Sequence, residues 1–399
     1  MTMISDALQR VKPSASMNIS AIALEKRAAG VDIIPMSAGE PDFDTPEHIK
    51  EAAKRALDAG KTKYTAVDGI PELKAAIAAK FERENGIKVE PSDCFVATGG
   101  KQIIFNALVA TLNPGDEALI PAPYWVSYPE MVNLTGATPV IMQTSAASGF
   151  KITAAELAAA ITPKTKWLLI NSPGNPSGAV YRKDELEALA QVLRGHPHVH
   201  ILMDDIYEHL TYGTKFYTMA QIAPDLADRT LTMNGVSKAY SMTGWRIGYC
   251  TGPDWLLKAM RKLQGQSTSN PCSIAQWASV EALNGDQTFL DGWREAFIER
   301  RDYLVDRLNK IEGIECLTPD GAFYVYPSCT GLLGKTTKGG RVLNNDEDVA
   351  LALLDEVDVA TVHGGAYGLS PHFRVSYAVS LEDIGRACNR FEAFVGGLT

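Results

Sequence analysis

Short apolar runs alternate with amphipathic stretches through the middle of the chain, at Cys94 to Thr98, Glu117 to Pro121, Lys166 to Asn171, His200 to Met203 and Thr230 to Asn234. Runs of this length, separated by segments of helical period, predict βαβ units wound around a mostly parallel sheet. Each run ends in a polar or glycine-containing loop: ATGGKQ, PAPYW, NSPGNPSG, DDIYEH and GVSKAYSMTGWR. Ligands of such sheets bind beyond the carboxyl ends of the strands, so these loops are expected to converge on one site. Beyond about residue 290 the pattern changes to a long charged helix, Gly292 to Ile311, two short strands around Phe323 to Tyr326 and Phe373 to Tyr377, and a closing amphipathic helix. This reads as a smaller α+β unit, joined by the segment before about residue 46, where SAGEPDFDTP forms a turn-rich linker. The expected division is therefore a large unit over 46–289 and a small one built from 1–45 and 290–399. No internal repeat is present, and ITAAELAAAI reads as a plain helix.

Composition narrows the function classes. The 399 residues are 46% hydrophobic and 21% charged, enough for a sizeable core. A net charge of -9 without any Lys/Arg-rich block argues against nucleic acid and anionic lipid as partners, while leaving room for a local basic pocket. Six cysteines without a CxxC pair suggest neither a zinc site nor a disulfide framework, and fit a reducing compartment. No stretch approaches the roughly 20 apolar residues of a membrane span, and MTMISDALQRV is no signal peptide, so a cytoplasmic location is expected. His196, His198 and His200 alternate in HPHVH; without a nearby carboxylate or cysteine they read as strand-edge histidines, and no metal is expected. The GKT beginning at Gly334 is no phosphate loop, because that motif needs glycine where Cys329 stands; the stretch near 329–347 reads as a mobile polar loop.

The loops carry a consistent chemistry. Lys238 follows the run ending at Asn234 and can form an imine with an aldehyde, while Arg246, eight residues on, can hold a phosphate bidentately. Asp204 ends a strand, with the Tyr207 phenol three residues later; a buried aspartate beside a pyridine nitrogen would keep that nitrogen protonated and make the ring an electron sink. Asn175, stiffened by flanking prolines, can donate to a ring hydroxyl beside Tyr207, and Trp125 offers a flat face for stacking. Gly99, Gly100 and Lys101 open a helix directly after a strand, where free N–H groups and the positive helix end suit a phosphate. Singly, these residues read as a surface lysine, a helix-capping aspartate, a turn asparagine and a core tryptophan. Their joint placement at successive strand ends is what those readings do not explain.

The segments VKPSAS, SAGEPDFDTPEHIKEAAKRAL, GKTKYT, GGKQIIFNAL, PYWVSYPEMV, NSPGNPSGAVY, DDIYEHL, SKAYSMTGWRIGY, GAFYVYP and FRVSYA together resemble the class I pyridoxal-phosphate-dependent aminotransferases, specifically their bacterial aspartate and aspartate/prephenate branch. The likeness runs nearly end to end. It implies the fold type I architecture, an α/β large domain with a mostly parallel seven-stranded sheet flanked by helices, which binds the cofactor, plus a smaller α+β domain closing over the substrate. By the same resemblance, Lys238 holds pyridoxal 5'-phosphate as an imine and moves the substrate proton, Asp204 pairs with the ring nitrogen, and Tyr207 and Asn175 contact the ring hydroxyl. Gly100, Lys101, Ser237 and Arg246 would surround the phosphate, and Tyr64 of a homodimer partner would reach it across the interface. Arg374 would clamp the substrate carboxylate with Asn175 and the Gly39 backbone. Two departures from the pattern, Gly174 in place of a common Asn and Asp205 in place of a common Glu, touch none of these roles.

Substrate choice turns on the far end of the substrate. A dicarboxylate needs a second cation, since an unpaired buried carboxylate is costly. Lys101 and Lys12 are the candidates, with the Ser16 hydroxyl nearby if the resemblance holds; a basic residue at position 12 accompanies prephenate acceptance in the branch. The expected reactions are aspartate plus 2-oxoglutarate to oxaloacetate plus glutamate, with prephenate to arogenate as a second. The alternatives are an aromatic or broad-range aminotransferase and a lyase or synthase using the same cofactor. A transcriptional regulator with an aminotransferase-like domain needs a DNA-binding domain ahead of the fold; with fewer than 40 residues before SAGEPDF, that reading is not expected.

Overall fold

The computed structural model describes residues 3–13 and 15–399, with the side chains of residues 15–18 and 20 outside the described set. Seven strands make one sheet: β1 (Cys94–Ala97), β2 (Glu117–Pro121), β3 (Thr138–Met142), β4 (Thr165–Asn171), β5 (His200–Asp204), β6 (Thr230–Gly235) and β7 (Gly248–Thr251), in the order β1-β7-β6-β5-β4-β2-β3. β7 runs antiparallel to both β1 and β6, and every other pair is parallel. The carboxyl ends of β1, β2, β4, β5 and β6 therefore share one edge of the sheet, together with the amino end of β7. β1, β6 and β7 are buried along their whole length, as helices on both faces of a sheet require.

Among the described residues six α-helices precede β3: α1 (Asp6–Gln9), α2 (Ala15–Ala28), α3 (Glu47–Asp58), α4 (Pro71–Asn85), α5 (Gly100–Thr111) and α6 (Ser127–Thr135). α3 is strongly amphipathic and buries Ile49, Ala52, Ala53 and Ala56. α4 starts on Pro71, whose missing N–H costs nothing in the first turn. One face of the sheet packs Phe95, Ile120 and Trp167 against Leu108 of α5 and Val132 of α6, and the other packs Leu168, Ile170 and Ile201 against Leu186 of the helix Lys183–Arg194. A separate apolar cluster, including Ile34, Phe297, Phe323, Val375 and Phe391, holds a three-stranded antiparallel sheet of β8 (Tyr324–Val325), β9 (Val362–His363) and β10 (Phe373–Ser376). No helix among the described residues is long and apolar enough to cross a membrane.

All five strands read from the apolar runs are present, within two residues at each end. The pattern misses β3, an edge strand containing Pro139, and β7, four residues inside a motif. The long helix runs Phe289–Leu308, earlier than expected, because Asn309 ends it and exchanges side-chain hydrogen bonds of 2.9 and 2.8 Å with the Cys316 backbone. The polar stretch near 329–347 has more fixed connections than expected of a mobile loop: Thr336 pairs with Thr399 through the backbone, and Thr337 donates to Glu356 at 2.6 Å. His200 lies in β5 between the Trp167 and Trp255 rings, while His198 Nε2 sits 3.1 Å from the Thr162 carbonyl, so the three histidines do not converge.

Candidate active site

A cavity of about 560 Å³ opens at the shared edge of the sheet. One end of it is made by the turn from β1 into α5. Gly99 takes the left-handed backbone (φ +85°), and a Cβ there would lie 2.5 Å from Arg246 Nη2. A Cβ on Gly248 would lie 2.3 Å from the Gly100 nitrogen. Glycine at both positions lets β7 and Arg246 press against the first turn of α5, whose N–H groups have no partner within the helix. Arg246 donates to the Thr243 carbonyl at 2.9 Å, and Lys101 Nζ stands 4.9 Å over the Trp125 ring. Burial and the nearby Arg246 charge hold the Lys101 ammonium below its usual range.

The floor is the end of β5. Asp204 is buried, accepts from the Tyr128 hydroxyl at 2.5 Å and from the Ile206 N–H at 3.3 Å, and is fixed from behind by Asn171, which donates to its carbonyl at 2.8 Å. Burial outweighs these bonds and pushes its carboxyl up to about 6. A carboxylate in that state gains from a cationic partner such as a protonated ring nitrogen. Trp125 meets Tyr128 edge to face at 5.4 Å, so the loop entering α6 supplies the stacking face and the first turn of α6 supplies the aspartate's partner.

Lys238, from the loop after β6, reaches the middle of the cavity and donates to the Gly39 carbonyl at 2.5 Å. Burial, with Arg374 and Arg246 nearby, lowers its ammonium to about 8 despite the pull of Glu40. That keeps a useful share of the amine unprotonated and nucleophilic near neutral pH. Arg374, on β10, donates to Asn175 Oδ1 at 3.0 Å and to the Ser37 carbonyl at 2.6 Å, while its Nε has no partner among the described residues. Tyr207 is buried, and its hydroxyl lies 2.9 Å from that of Tyr324.

Gly39, Gly100, Lys101, Trp125, Asn175, Asp204, Tyr207, Ser237, Lys238, Arg246 and Arg374 all line this one cavity, and Gly99 supports it through Arg246. Tyr64 is not among the lining residues and is 92% exposed. Lys12 is exposed and also outside the lining, its backbone N–H bound by Glu130 at 2.8 Å; the Ser16 side chain lies outside the described residues. Tyr128, Asn171, Ser37 and Tyr324 were not singled out from the sequence. Tyr128, in PYWVSYPE, and Tyr324, in GAFYVYP, sit inside quoted segments, but nothing local marks their partners, 76 and 117 residues away.

Among the lining residues, Lys101, Lys238, Arg246 and Arg374 face a single carboxylate, Asp204. Such an imbalance favours anionic ligand groups inside. The set suits a flat heteroaromatic ring with an anionic end near α5, a basic ring nitrogen at Asp204, a carbonyl within reach of Lys238, and a separate carboxylate at Arg374.

The model of the family described as aminotransferase class I and II matches residues 31–391. The chain is 60% identical over 400 residues to an aspartate/prephenate aminotransferase of Cereibacter sphaeroides, covering all of both chains. It is 53% identical over 382 residues to an aspartate aminotransferase of Rhizobium meliloti, covering 94% of this chain and 93% of that one. Among solved structures, the aspartate aminotransferase from Rhizobium meliloti superposes with a TM-score of 0.96 at 50% identity over the full length of both chains. The Thermus thermophilus aspartate aminotransferase with maleate gives 0.92 at 45% identity, over 98% of this chain and 100% of that one. A family match across most of the chain and full-length relatives of this identity agree with the cavity's chemistry, and the chain belongs to the class I and II aminotransferase family.

Proposed function

We propose that the protein is a pyridoxal 5'-phosphate-dependent aminotransferase that moves the amino group of L-aspartate to 2-oxoglutarate, giving oxaloacetate and L-glutamate, and that also converts prephenate to L-arogenate. The observation that carries this reading is the cavity's excess of cations over its one carboxylate, arranged around a lysine of lowered basicity. The cofactor supplies an aldehyde and an electron-withdrawing pyridine ring. Lys238 would hold the cofactor through its aldehyde and would serve the proton at the substrate's α-carbon. Asp204, kept in place by Tyr128 and Asn171, holds a proton on the ring nitrogen. Tyr207 and Asn175 donate to the ring hydroxyl. The Gly100 N–H, with Lys101, Ser237 and Arg246, would hold the phosphate, with Gly99 shaping the turn so that Arg246 can approach, and Tyr64 of a second subunit would complete that site in a homodimer.

Arg374 binds the substrate α-carboxylate with Asn175 and the Gly39 backbone. For the distal carboxylate, Lys101, Lys12 and Ser16 are the candidates. The relatives named for aspartate and prephenate, and the relative solved with the dicarboxylate maleate, support a second acidic group in the substrate. We place 46–289 as the cofactor-binding domain and 1–45 with 290–399 as the domain that closes over the substrate and excludes water. A cytoplasmic location fits the composition.

The test is a half-reaction screen on the cofactor-loaded protein, adding aspartate, glutamate, phenylalanine, tyrosine and arogenate separately and following the visible band of the lysine-bound cofactor. Rapid bleaching by aspartate, glutamate and arogenate is expected. Bleaching by the aromatic amino acids alone would overturn the dicarboxylate specificity, and no bleaching by any would favour a lyase.

A further inference from the structure

We infer that Tyr324 is a positioning residue with two separable tasks: its ring seats the Arg374 guanidinium, and its hydroxyl orients and strengthens the hydroxyl of Tyr207. This rests on the reading that Tyr207 donates to the cofactor's ring oxygen. β8 and β10 pair with Tyr324 opposite Ser376, which puts Tyr324 and Arg374 diagonally on one face of the small sheet. The guanidinium carbon of Arg374 lies 4.5 Å from the centre of the Tyr324 ring and 5.3 Å from that of Tyr367. Among the described residues Arg374 has no carboxylate partner in the cavity, so these rings, Asn175 and the Ser37 carbonyl aim it before a substrate arrives.

The hydroxyl does something else. Tyr324 is fully buried, and its oxygen stands 2.9 Å from that of Tyr207, with either able to donate. Once Tyr207 gives its proton to an acceptor in the cavity, the shared bond can persist only with Tyr324 as donor. A phenol that accepts a hydrogen bond while donating another becomes the stronger donor. Tyr324 thus reaches the cofactor through Tyr207 and the substrate through Arg374, from one strand of the small sheet.

The experiment is a pH titration of the visible band of the cofactor-loaded enzyme, with amino-acid kinetics alongside, for Tyr324→Phe, Tyr324→Leu, Tyr207→Phe and the double Tyr207→Phe/Tyr324→Phe variant. Tyr324→Phe keeps the ring, so KM for aspartate should stay within about twofold, while the band's apparent pKa rises by roughly half a unit as the ring oxygen loses part of its donor. Tyr324→Leu should add a KM increase of about tenfold shared by all amino acids, because the seat of Arg374 is gone. The double variant should titrate like Tyr207→Phe alone, since Tyr324 acts on the band only through Tyr207. If Tyr207→Phe moves the band and Tyr324→Phe does not, the relay is refuted while the aminotransferase reading stands. If Tyr207→Phe itself leaves the band unmoved, the contact on which the relay depends is refuted and the proposal falls with it.

Discussion

At the residue scale, the environment of Lys238 sets how it reacts. Burial and two neighbouring arginines lower its ammonium from 10.5 to about 8. At pH 7.4 roughly a fifth of such a group is free amine, against about one part in a thousand for an unperturbed lysine. Capture of added pyridoxal phosphate by cofactor-stripped protein should therefore accelerate with pH, reach half its limit at about pH 8 and level off about one unit higher, as followed by stopped-flow absorbance; a rate still climbing steeply at pH 10 would contradict the buried-lysine account. The unfolded chain holds this proton up to 10.5 and the folded one only to about 8, so the group costs stability below pH 8, and that cost fades between the two values. Asp204 runs the other way: its carboxyl, raised from 3.8 to about 6 by burial, weakens the ligand-free fold as pH climbs through that window. Both costs shrink when a ligand supplies the missing charges.

At the scale of elements, the site depends on one unusual strand. β7 enters the sheet antiparallel between β1 and β6, and its first residue, Gly248, touches the first residue of α5, Gly100. Gly248→Ala puts a methyl group where only 2.3 Å separates it from the Gly100 nitrogen. The backbone neighbours cannot turn aside as a flexible side chain would. The variant should bind cofactor at least about tenfold more weakly, measured by equilibrium dialysis, with a lower melting temperature of the ligand-free protein. Unchanged affinity and melting would show that β7 has more slack than its contacts indicate. The loop after β5 is held from the opposite side: Ala322 donates to the Leu210 carbonyl and Tyr212 donates to that of Asp320, both at 2.8 Å. Asp204 and Tyr207 thus sit on a segment tied both to the large sheet and to the chain leading into β8.

At the scale of the molecule, Tyr64 stands 92% exposed, outside the cavity of its own chain. A homodimer in which it serves the neighbouring site makes a sharp prediction. Mixed Tyr64→Ala and Lys238→Ala subunits should regain roughly a quarter of the wild-type activity, because half of randomly paired dimers are hybrids and each hybrid has one complete site. Each variant alone should stay low, with sedimentation velocity reporting the dimer. No recovery on mixing would place Tyr64 outside the partner's site.

The positions of the chemical groups along the chain were legible because a strand's carboxyl end is a local feature: a short apolar run, then a loop, locates Lys101, Asn175, Asp204 and Lys238 without any knowledge of pairing. Local pattern was enough for the five loops and for the long helix to within a few residues. It could not show which partners those groups would meet. Strand order brought Arg246 against Gly99, sheet packing brought Tyr128 to Asp204, and the meeting of the two sheets joined Tyr324 to Tyr207 and Arg374 to Asn175, the last pair 199 residues apart. Sequence determined which groups stand at the ends of strands, because backbone period and turn chemistry act over a few residues. Tertiary structure alone decided their protonation, aim and neighbours, because burial and charge act through space.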